Sequence, residues 1–151
     1  MAGVELTAEI RVDTARLDAL SEGLQAQLRD VVEVAAFSIE RRAKSVPPPI
    51  DTGATMNSIH VTMSDGGGDY AAARSAAASL RPGVQQFPEN IPSDPGGGIA
   101  ANIGPSTAYA YLLEFGTHNM PARPFMIPSL EAERGPLLAA IEYIFTKAAN
   151  G

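Results

Sequence analysis

The spacing of apolar residues changes early in the chain, from the period of a strand to that of a helix. Alternation over residues 4–12 places every second side chain on one face, which predicts a short half-buried strand. From Ala15 to about Lys44, apolar residues recur every three or four positions. This spacing predicts one amphipathic helix of roughly 30 residues, about 45 Å long. The run Val46-Pro47-Pro48-Pro49 should end the helix, because proline lacks an N–H and constrains the residue before it.

Two further alternating segments predict a small sheet that is interrupted by a long insertion. Ala54–Ser58 has the length of one helical turn and leads into a predicted strand at Ile59–Met63. Ile99–Ile103 predicts the strand that pairs with it. Between these strands, residues 64–98 carry Gly-Gly-Gly at both ends, four prolines and few large apolar side chains. We expect a flexible insertion or arm, within which residues 71–80 have a composition that allows a short helix.

The last third of the chain predicts two helices joined by an extended linker. Thr107–Phe115 has an apolar face and precedes Gly116, a residue that commonly follows a helix. Prolines should hold the next segment, HNMPARPFMIP, in an extended conformation. The final helix is predicted from about Pro136 to Ala149, because Gly135-Pro136 should separate it from the turn that precedes it.

Composition narrows the range of functions. A chain of 151 residues suits one domain, 1–151, that buries its core without disulfides or metal. The absence of cysteine excludes thiol catalysis and thiolate metal sites. Only His60 and His118 could supply imidazole, and no metal-binding motif accompanies them, so we expect no metal and no cofactor. The net charge of −6, with no basic segment beyond 41–44, argues against a dedicated nucleic-acid-binding protein.

The N-terminal segment is alternating and acidic, which is unlike a signal peptide. No apolar run approaches the 18 or so residues that a transmembrane helix needs. We therefore expect a soluble protein without a membrane partner, located in the cytoplasm in which it is made.

The tripeptide Asp51-Thr52-Gly53 matches the active-site sequence of aspartic proteases, in which two aspartates of a homodimer can share a proton. Those enzymes place the tripeptide after a buried strand, whereas here it follows a long helix and three prolines. A structural role is the alternative: Asp51 and Thr52 can accept N–H groups at a helix start, and Gly53 permits an unusual backbone angle. We expect the structural role and no catalytic residue; a retroviral-type protease using Asp51 is the less favoured hypothesis.

The segment 107–130 predicts a docking element for another protein. Glu114 lies at the end of an apolar helix, and Arg123 follows nine residues later. We expect Arg123 to reach back to Glu114 or to the carbonyl groups at the helix end. Phe125 and Met126, flanked by prolines, are expected to form an exposed apolar anchor of the kind found in protein–protein contacts.

Two motif blocks, about 50 residues apart, resemble those of the head–tail joining, or tail completion, proteins of long-tailed phages, prophages and gene-transfer particles. The first is Asp-Thr-Gly followed by Ser-Ile, and the second is Tyr-x-x-x-x-Glu-Phe-Gly-Thr followed by Met-x-Ala-Arg-Pro-Phe-Met-x-Pro-x-Leu. The matching positions are Asp51, Thr52, Gly53, Ser58, Ile59, Tyr109 or Tyr111, Glu114, Phe115, Gly116, Thr117, Met120, Ala122, Arg123, Pro124, Phe125, Met126, Pro128 and Leu130. The insertion at 64–98 is longer than the resemblance leads us to expect.

This resemblance implies an α+β protein without enzymatic activity, in which a long N-terminal helix and a C-terminal helix pack on a small antiparallel sheet. It further implies a structural virion component that assembles in the host cytoplasm and forms a ring, expected to be a hexamer, at the neck. There the ring joins or completes the tail on the DNA-filled head. The alternative within the same machinery is the tail terminator ring.

The partners implied are further copies of the chain, the portal-side connector or stopper ring, and the tail tube or tail terminator protein. DNA is expected to pass through the lumen without specific binding. An acidic surface without a basic patch suits such a channel, because it does not attract the phosphate backbone.

Overall fold

The computed structural model describes residues 5–12, 22–45, 53–92 and 98–150, which form an α+β fold. The predicted class is thereby confirmed. The elements in chain order are β1 (Ala8–Val12), α1 (Glu22–Ser45), α2 (Ala54–Ser58), β2 (Ile59–Met63), α3 (Tyr70–Leu80), β3 (Ile99–Pro105), α4 (Ala110–Phe115) and α5 (Met126–Asn150).

The three strands form one antiparallel sheet in the order β1-β3-β2. Ile103 of the central strand lies opposite Val61 of β2 and Ala8 of β1. The predicted pairing of 59–63 with 99–103 is therefore confirmed, and β3 continues to Pro105. The strand predicted over 4–12 is present at Ala8–Val12.

The outer edge of β2 is closed by the turn that follows it. The backbone N–H of Val61 donates to the Asp69 carboxylate (2.8 Å), and the carbonyl of Val61 accepts from the N–H of Asp69 (3.1 Å). Gly68 makes this approach possible: its φ is +131°, and a Cβ there would lie 2.0 Å from the Val61 carbonyl oxygen. The edge groups of β2 are thus paired within the chain.

Helix α1 covers the sheet with its apolar stripe. Leu28, Val32, Ala36, Ile39 and Ala43 are fully buried at helical spacing and pack on the strands and on α5. The helix predicted from Ala15 is confirmed from residue 22 to 45; its predicted beginning lies outside the described residues.

The C-terminal helix begins ten residues earlier than predicted. Met126–Asn150 is one continuous helix with Pro136 inside it, so the prediction that Gly135-Pro136 separates two elements was wrong. The residues that face α1 and the core lie on both sides of the proline. Both halves are therefore held against the same neighbours, and this packing outweighs the missing N–H.

The described part of the insertion, 64–92, carries helix α3, as its composition allowed. Tyr70, Ala73 and Ala77 are buried, and the Tyr70 hydroxyl donates to the carbonyl of Phe87 (2.7 Å). The N–H of Phe87 in turn donates to the carbonyl of Ser106 (2.7 Å). Because this contact keeps the segment after β3 extended, α4 begins at Ala110 instead of the predicted 107. The expectation of a flexible arm over 64–98 stays a prediction.

Candidate assembly site

The buried carboxylate of Glu114 holds the start of α5. It is 2% exposed, and it accepts hydrogen bonds from the backbone N–H groups of Phe125 (2.7 Å), Met126 (3.0 Å) and Ile127 (2.9 Å). The first N–H groups of a helix have no partner within it and carry the positive end of its dipole. Glu114 therefore serves as a cap supplied by α4, twelve residues before α5 begins.

The chain between α4 and α5 makes a tight turn after Gly116. This glycine has φ +76°, and a Cβ there would lie 2.6 Å from the Ala122 nitrogen. Beyond the turn, the N–H of Arg123 donates to the carbonyl of Leu113 (2.8 Å). The predicted return of Arg123 to the helix end is thus made by its backbone.

Of the two partners expected for Arg123, Glu114 or the carbonyl groups at the helix end, the pairing with Glu114 is not formed. The carboxylate is occupied by three backbone N–H groups, and the exposed Arg123 side chain has no hydrogen bond or ion pair with any residue that the structure describes. Sequence spacing could not separate an ion pair from a helix cap, since both bring residue 114 close to the linker.

Phe125 and Met126 do not form the exposed anchor that was expected. Phe125 is 0% exposed and Met126 is 2% exposed, and both belong to the main hydrophobic core. The hydroxyl of Ser129 donates to the Phe125 carbonyl (2.6 Å), which further ties the linker to the first turn of α5. The Ala-Arg-Pro-Phe-Met motif therefore places α5 on the body of the protein.

A buried hydroxyl cluster ties the first motif block to Thr107, just before the second block begins. Ser58 is fully buried; its Oγ donates to the carbonyl of Thr55 (2.7 Å) and lies 3.4 Å from Oγ1 of Thr107. Gly53 precedes α2 with φ +78°, a left-handed conformation that favours glycine. The predicted capping role of Asp51 and Thr52 lies outside the described residues.

A first exposed apolar surface lies on α4, and we call Tyr111, Leu112 and Phe115 the α4 ridge. Phe115 is 51% exposed, and its ring lies 5.0 Å from that of Tyr111. Tyr109, by contrast, faces Arg81, whose guanidinium carbon lies 5.1 Å from the centre of its ring. Thr117 is also exposed and accepts the N–H of Asn119 (3.3 Å). The ridge therefore has the composition of a protein contact.

A second exposed apolar surface lies between the two long helices. The α1–α5 groove is a cavity of about 240 Å³ with an apolar wall, and Val34 on its rim is 67% exposed. The acidic residues Asp30 and Glu133 border it. The groove is lined by Val31, Val34, Ala35, Pro136, Leu137 and Ala140. The groove was not expected from the sequence, because Gly135-Pro136 predicts the boundary of a helix at this point.

Burial shifts the pKa of two charged groups near the covered edge of β2. Burial lowers the pKa of His60, which lies against Tyr70 and donates from Nδ1 to the carbonyl of Ser58 (3.0 Å). Burial raises the pKa of Glu40, an effect that its ion pair with Lys44 partly opposes. Tyr70 of α3 packs against the ring of His60, so this face of β2 is covered.

Among the described residues, no group of histidine and carboxylate side chains could hold a metal ion. Within the same residues, no helix is long and apolar enough to cross a membrane.

Residues 14–116 match the family HK97-gp10_like, described as "Bacteriophage HK97-gp10, putative tail-component". The matched range is more than half of the chain. It contains Asp51-Thr52-Gly53, α1, the sheet strands β2 and β3, and α4 as far as Gly116. No significant match was found among curated proteins or among solved structures.

Proposed function

The chain belongs to the HK97-gp10-like family of bacteriophage tail components, and we propose that it forms a ring at the neck which joins the tail to the DNA-filled head. The family makes it a structural component of a phage tail and thereby of the virion. The ring, its position at the neck and the joining role are the proposal; a tail terminator ring is the alternative.

Two unlike apolar surfaces on one chain support assembly into a ring. A closed ring requires head-to-tail contacts, in which one surface of each subunit meets a different surface of the next. The α4 ridge and the α1–α5 groove differ in shape, since one projects and the other is concave. We infer that Phe115 of one subunit enters the groove beside Val34 of its neighbour.

Charge at the two surfaces supports the same pairing. The ridge lies next to Arg123, whose exposed side chain has no polar partner among the described residues. The groove is bordered by Asp30 and Glu133, on a chain of net charge −6. Glu133 is already paired with Arg42, so the exposed Asp30 is the acidic group that a cation at this border would meet. Such a contact would favour the correct pair of surfaces over other contacts. The predicted interface role of Arg123 thus becomes a contact with the next subunit.

The remaining partner assignments follow from the neck position. The portal-side connector or stopper ring would lie on one face of the ring and the tail tube or terminator protein on the other. The insertion at 64–98 is the segment proposed to reach an adjacent ring. The acidic composition supports passage of DNA through the lumen without specific binding.

The test of the joining role is a nonsense mutation of the gene in the phage or prophage that encodes it. If the chain joins head to tail, electron microscopy of the lysate should show filled heads and separate, complete tails. Restoring the chain in trans should restore joined particles. Tails of irregular length would favour the terminator ring, and normal infectious particles lacking the chain would contradict both.

The test of the ring contact is a pair of substitutions, Phe115→Asp on the ridge and Val34→Asp at the groove. Each should abolish rings in electron micrographs of the purified chain and reduce joined particles, because a buried unpaired carboxylate is costly. Ala78→Asp, at an exposed position of α3 outside both surfaces, is the matched control. Rings that persist in both variants would exclude this contact.

A further inference from the structure

Helix α4, which carries the α4 ridge, is too short to fix its own orientation. It has six residues, and isolated helices of this length are marginal in water. No side chain caps its first turn, and the helix makes few contacts with the other described helices and strands. The orientation of the ridge must therefore depend on the segments before and after the helix.

The C-terminal end of α4 is held by α5 and the linker. The carboxylate of Glu114 accepts the first N–H groups of α5, and the carbonyl of Leu113 accepts the N–H of Arg123 (2.8 Å). Both contacts act on the last turn of the helix. The first turn, which begins at Ala110, needs a support of its own.

The insertion supplies this support through a short pair of extended segments outside the main sheet. Gln86 lies opposite Thr107 in an antiparallel bridge. The backbone bonds that flank the bridge are Phe87 N–H to the Ser106 carbonyl (2.7 Å) and Ala108 N–H to the Gln85 carbonyl (3.0 Å). We call this contact of 85–87 with 106–108 the insertion clasp. It ends two residues before α4 begins.

Side chains tie the insertion clasp to helix α3. The hydroxyl of Tyr70 donates to the carbonyl of Phe87 (2.7 Å) and accepts from Nη1 of Arg74 (3.1 Å). Nε2 of Gln86 donates to the carbonyl of Arg74 (3.1 Å), and its Oε1 accepts from the hydroxyl of Ser106 (2.5 Å). Gln86 thus bonds to α3 on one side and to the segment before α4 on the other.

Tyr109 extends this support to the start of α4. It directly precedes Ala110, and the guanidinium carbon of Arg81 lies 5.1 Å from the centre of its ring. A cation over an aromatic face is attracted to it. Arg81 follows the last residue of α3, whereas Tyr70 is the first residue of that helix. Both ends of α3 therefore contribute to holding the segment that leads into α4.

We propose that the insertion is a positioning element of the assembly interface: through the insertion clasp and Tyr109 it orients the α4 ridge for the next subunit. This inference rests on the ridge-and-groove contact proposed above. A ridge that is already held in its binding orientation avoids the entropy cost of ordering it on assembly. The clasp should therefore strengthen the affinity between subunits, and residues 70–87 act within their own subunit.

The test compares Tyr109→Ala, which removes the ring that Arg81 contacts, with the conservative variant Tyr109→Phe, which keeps it. In the unassembled full chain, Tyr109→Ala should speed amide hydrogen exchange over residues 110–115. The chain concentration at which half of the subunits are in rings should rise by roughly threefold or more. The yield of joined particles should fall as well. Tyr109→Phe should recover the wild-type exchange and most of the affinity.

Ile10→Val controls for a general loss of stability, because it removes one buried methyl group from β1, outside the clasp and the ridge. It should lower the free energy of unfolding without a selective increase of exchange over 110–115. The proposal is overturned if Ile10→Val weakens rings as much as Tyr109→Ala does. It is also overturned if Tyr109→Ala exchanges like the wild type, or exchanges faster and still assembles normally.

The failure of this proposal can be distinguished from the failure of the ring contact. Rings that persist in Phe115→Asp, or rings that never form in the wild type, would contradict the ridge-and-groove contact on which the inference rests. Unchanged hydrogen exchange in Tyr109→Ala would contradict the positioning role while leaving the proposed ring intact.

Discussion

At the scale of single residues, the second motif block has a structural role: Glu114 caps a helix that begins twelve residues later. Its three hydrogen bonds are all to backbone donors, so the position requires an acceptor and not a partner cation. This explains why a carboxylate is fully buried next to the exposed Phe115.

Glu114→Gln tests this cap. The amide can accept on one atom only, and its NH₂ would face a backbone donor. We expect the free energy of unfolding to fall by about 3 kcal/mol, roughly 6–12 °C in Tm. Thermal denaturation followed by circular dichroism measures the loss. Glu142→Gln, at an exposed position of α5, is the control and should change little. Equal Tm values for both variants would show that Glu114 does not cap α5.

His60 predicts a dependence of stability on pH. Burial lowers its pKa in the folded chain, so the unfolded chain binds the proton more tightly. Stability is then fully present above the unfolded pKa of about 6.5 and is lost as pH falls below it. The raised pKa of Glu40 acts in the opposite direction, favouring stability at lower pH.

The variant His60→Phe distinguishes the effect of His60 on stability from that of Glu40. It removes the titrating imidazole and keeps an aromatic ring against Tyr70. The difference in unfolding free energy between wild type and variant, measured in urea, cancels the contribution of Glu40. We expect this difference to shift in favour of the variant as pH falls from 7.5 to about 5. A difference that does not change with pH would mean that His60 takes up its proton equally in the folded and unfolded chain.

At the scale of elements, α5 shows how packing overrides local propensity. Gly135 and Pro136 together are strong helix-breaking signals, yet the helix continues through them because its apolar stripe lies on α1 and the core on both sides. The ion pair between Arg42 and Glu133 adds a polar link between the same two helices. Gly135 and Pro136 therefore lower the stability of the helix locally, and replacing such a residue with one that favours helix should stabilise the chain.

Gly135→Ala should stabilise the chain by about 0.5–1 kcal/mol, since alanine favours helix and a Cβ there meets no atom within 4 Å. Gly116→Ala is the contrasting variant. Its φ of +76° and a Cβ 2.6 Å from the Ala122 nitrogen should make it clearly destabilising. Urea denaturation of both variants shows whether each substitution raises or lowers the free energy of unfolding. A Gly135→Ala protein less stable than wild type would indicate that α5 needs flexibility at this point.

At the scale of the whole molecule, exposed apolar surface and unpartnered charge point to assembly with other copies or other tail proteins. The family match supplies the phage tail context, and the α4 ridge and α1–α5 groove supply candidate contacts. The side chain of Arg123 is exposed and has no polar partner among the described residues. A substitution there should therefore affect assembly without affecting the stability of the fold.

Arg123→Ala should therefore leave the unfolding free energy within about 0.5 kcal/mol of wild type, as is usual for a surface substitution. The same variant should weaken ring formation and lower the yield of joined particles. Arg134→Ala, which removes an exposed arginine elsewhere, controls for the loss of charge alone. If Arg123→Ala lowers the stability of the chain but does not affect assembly, the side chain of Arg123 contributes to folding and not to the ring contact.

Sequence by itself determined the features that depend on neighbours along the chain. The helical period of α1, the strand at Ile59–Met63 and its partner after residue 98 follow from local alternation of side chains, and the structure confirms them. The order of the two motif blocks was enough to indicate the phage family, which the match over 14–116 confirms.

Tertiary structure alone decided the features that depend on contacts distant in sequence. It assigned Glu114 to backbone donors instead of Arg123, buried Phe125 and Met126, covered His60 with α3 and carried α5 through Pro136. In each case the local pattern allowed more than one outcome. The packing of a neighbouring element selected between them, because burial and satisfied hydrogen bonds contribute more than the differences in local propensity.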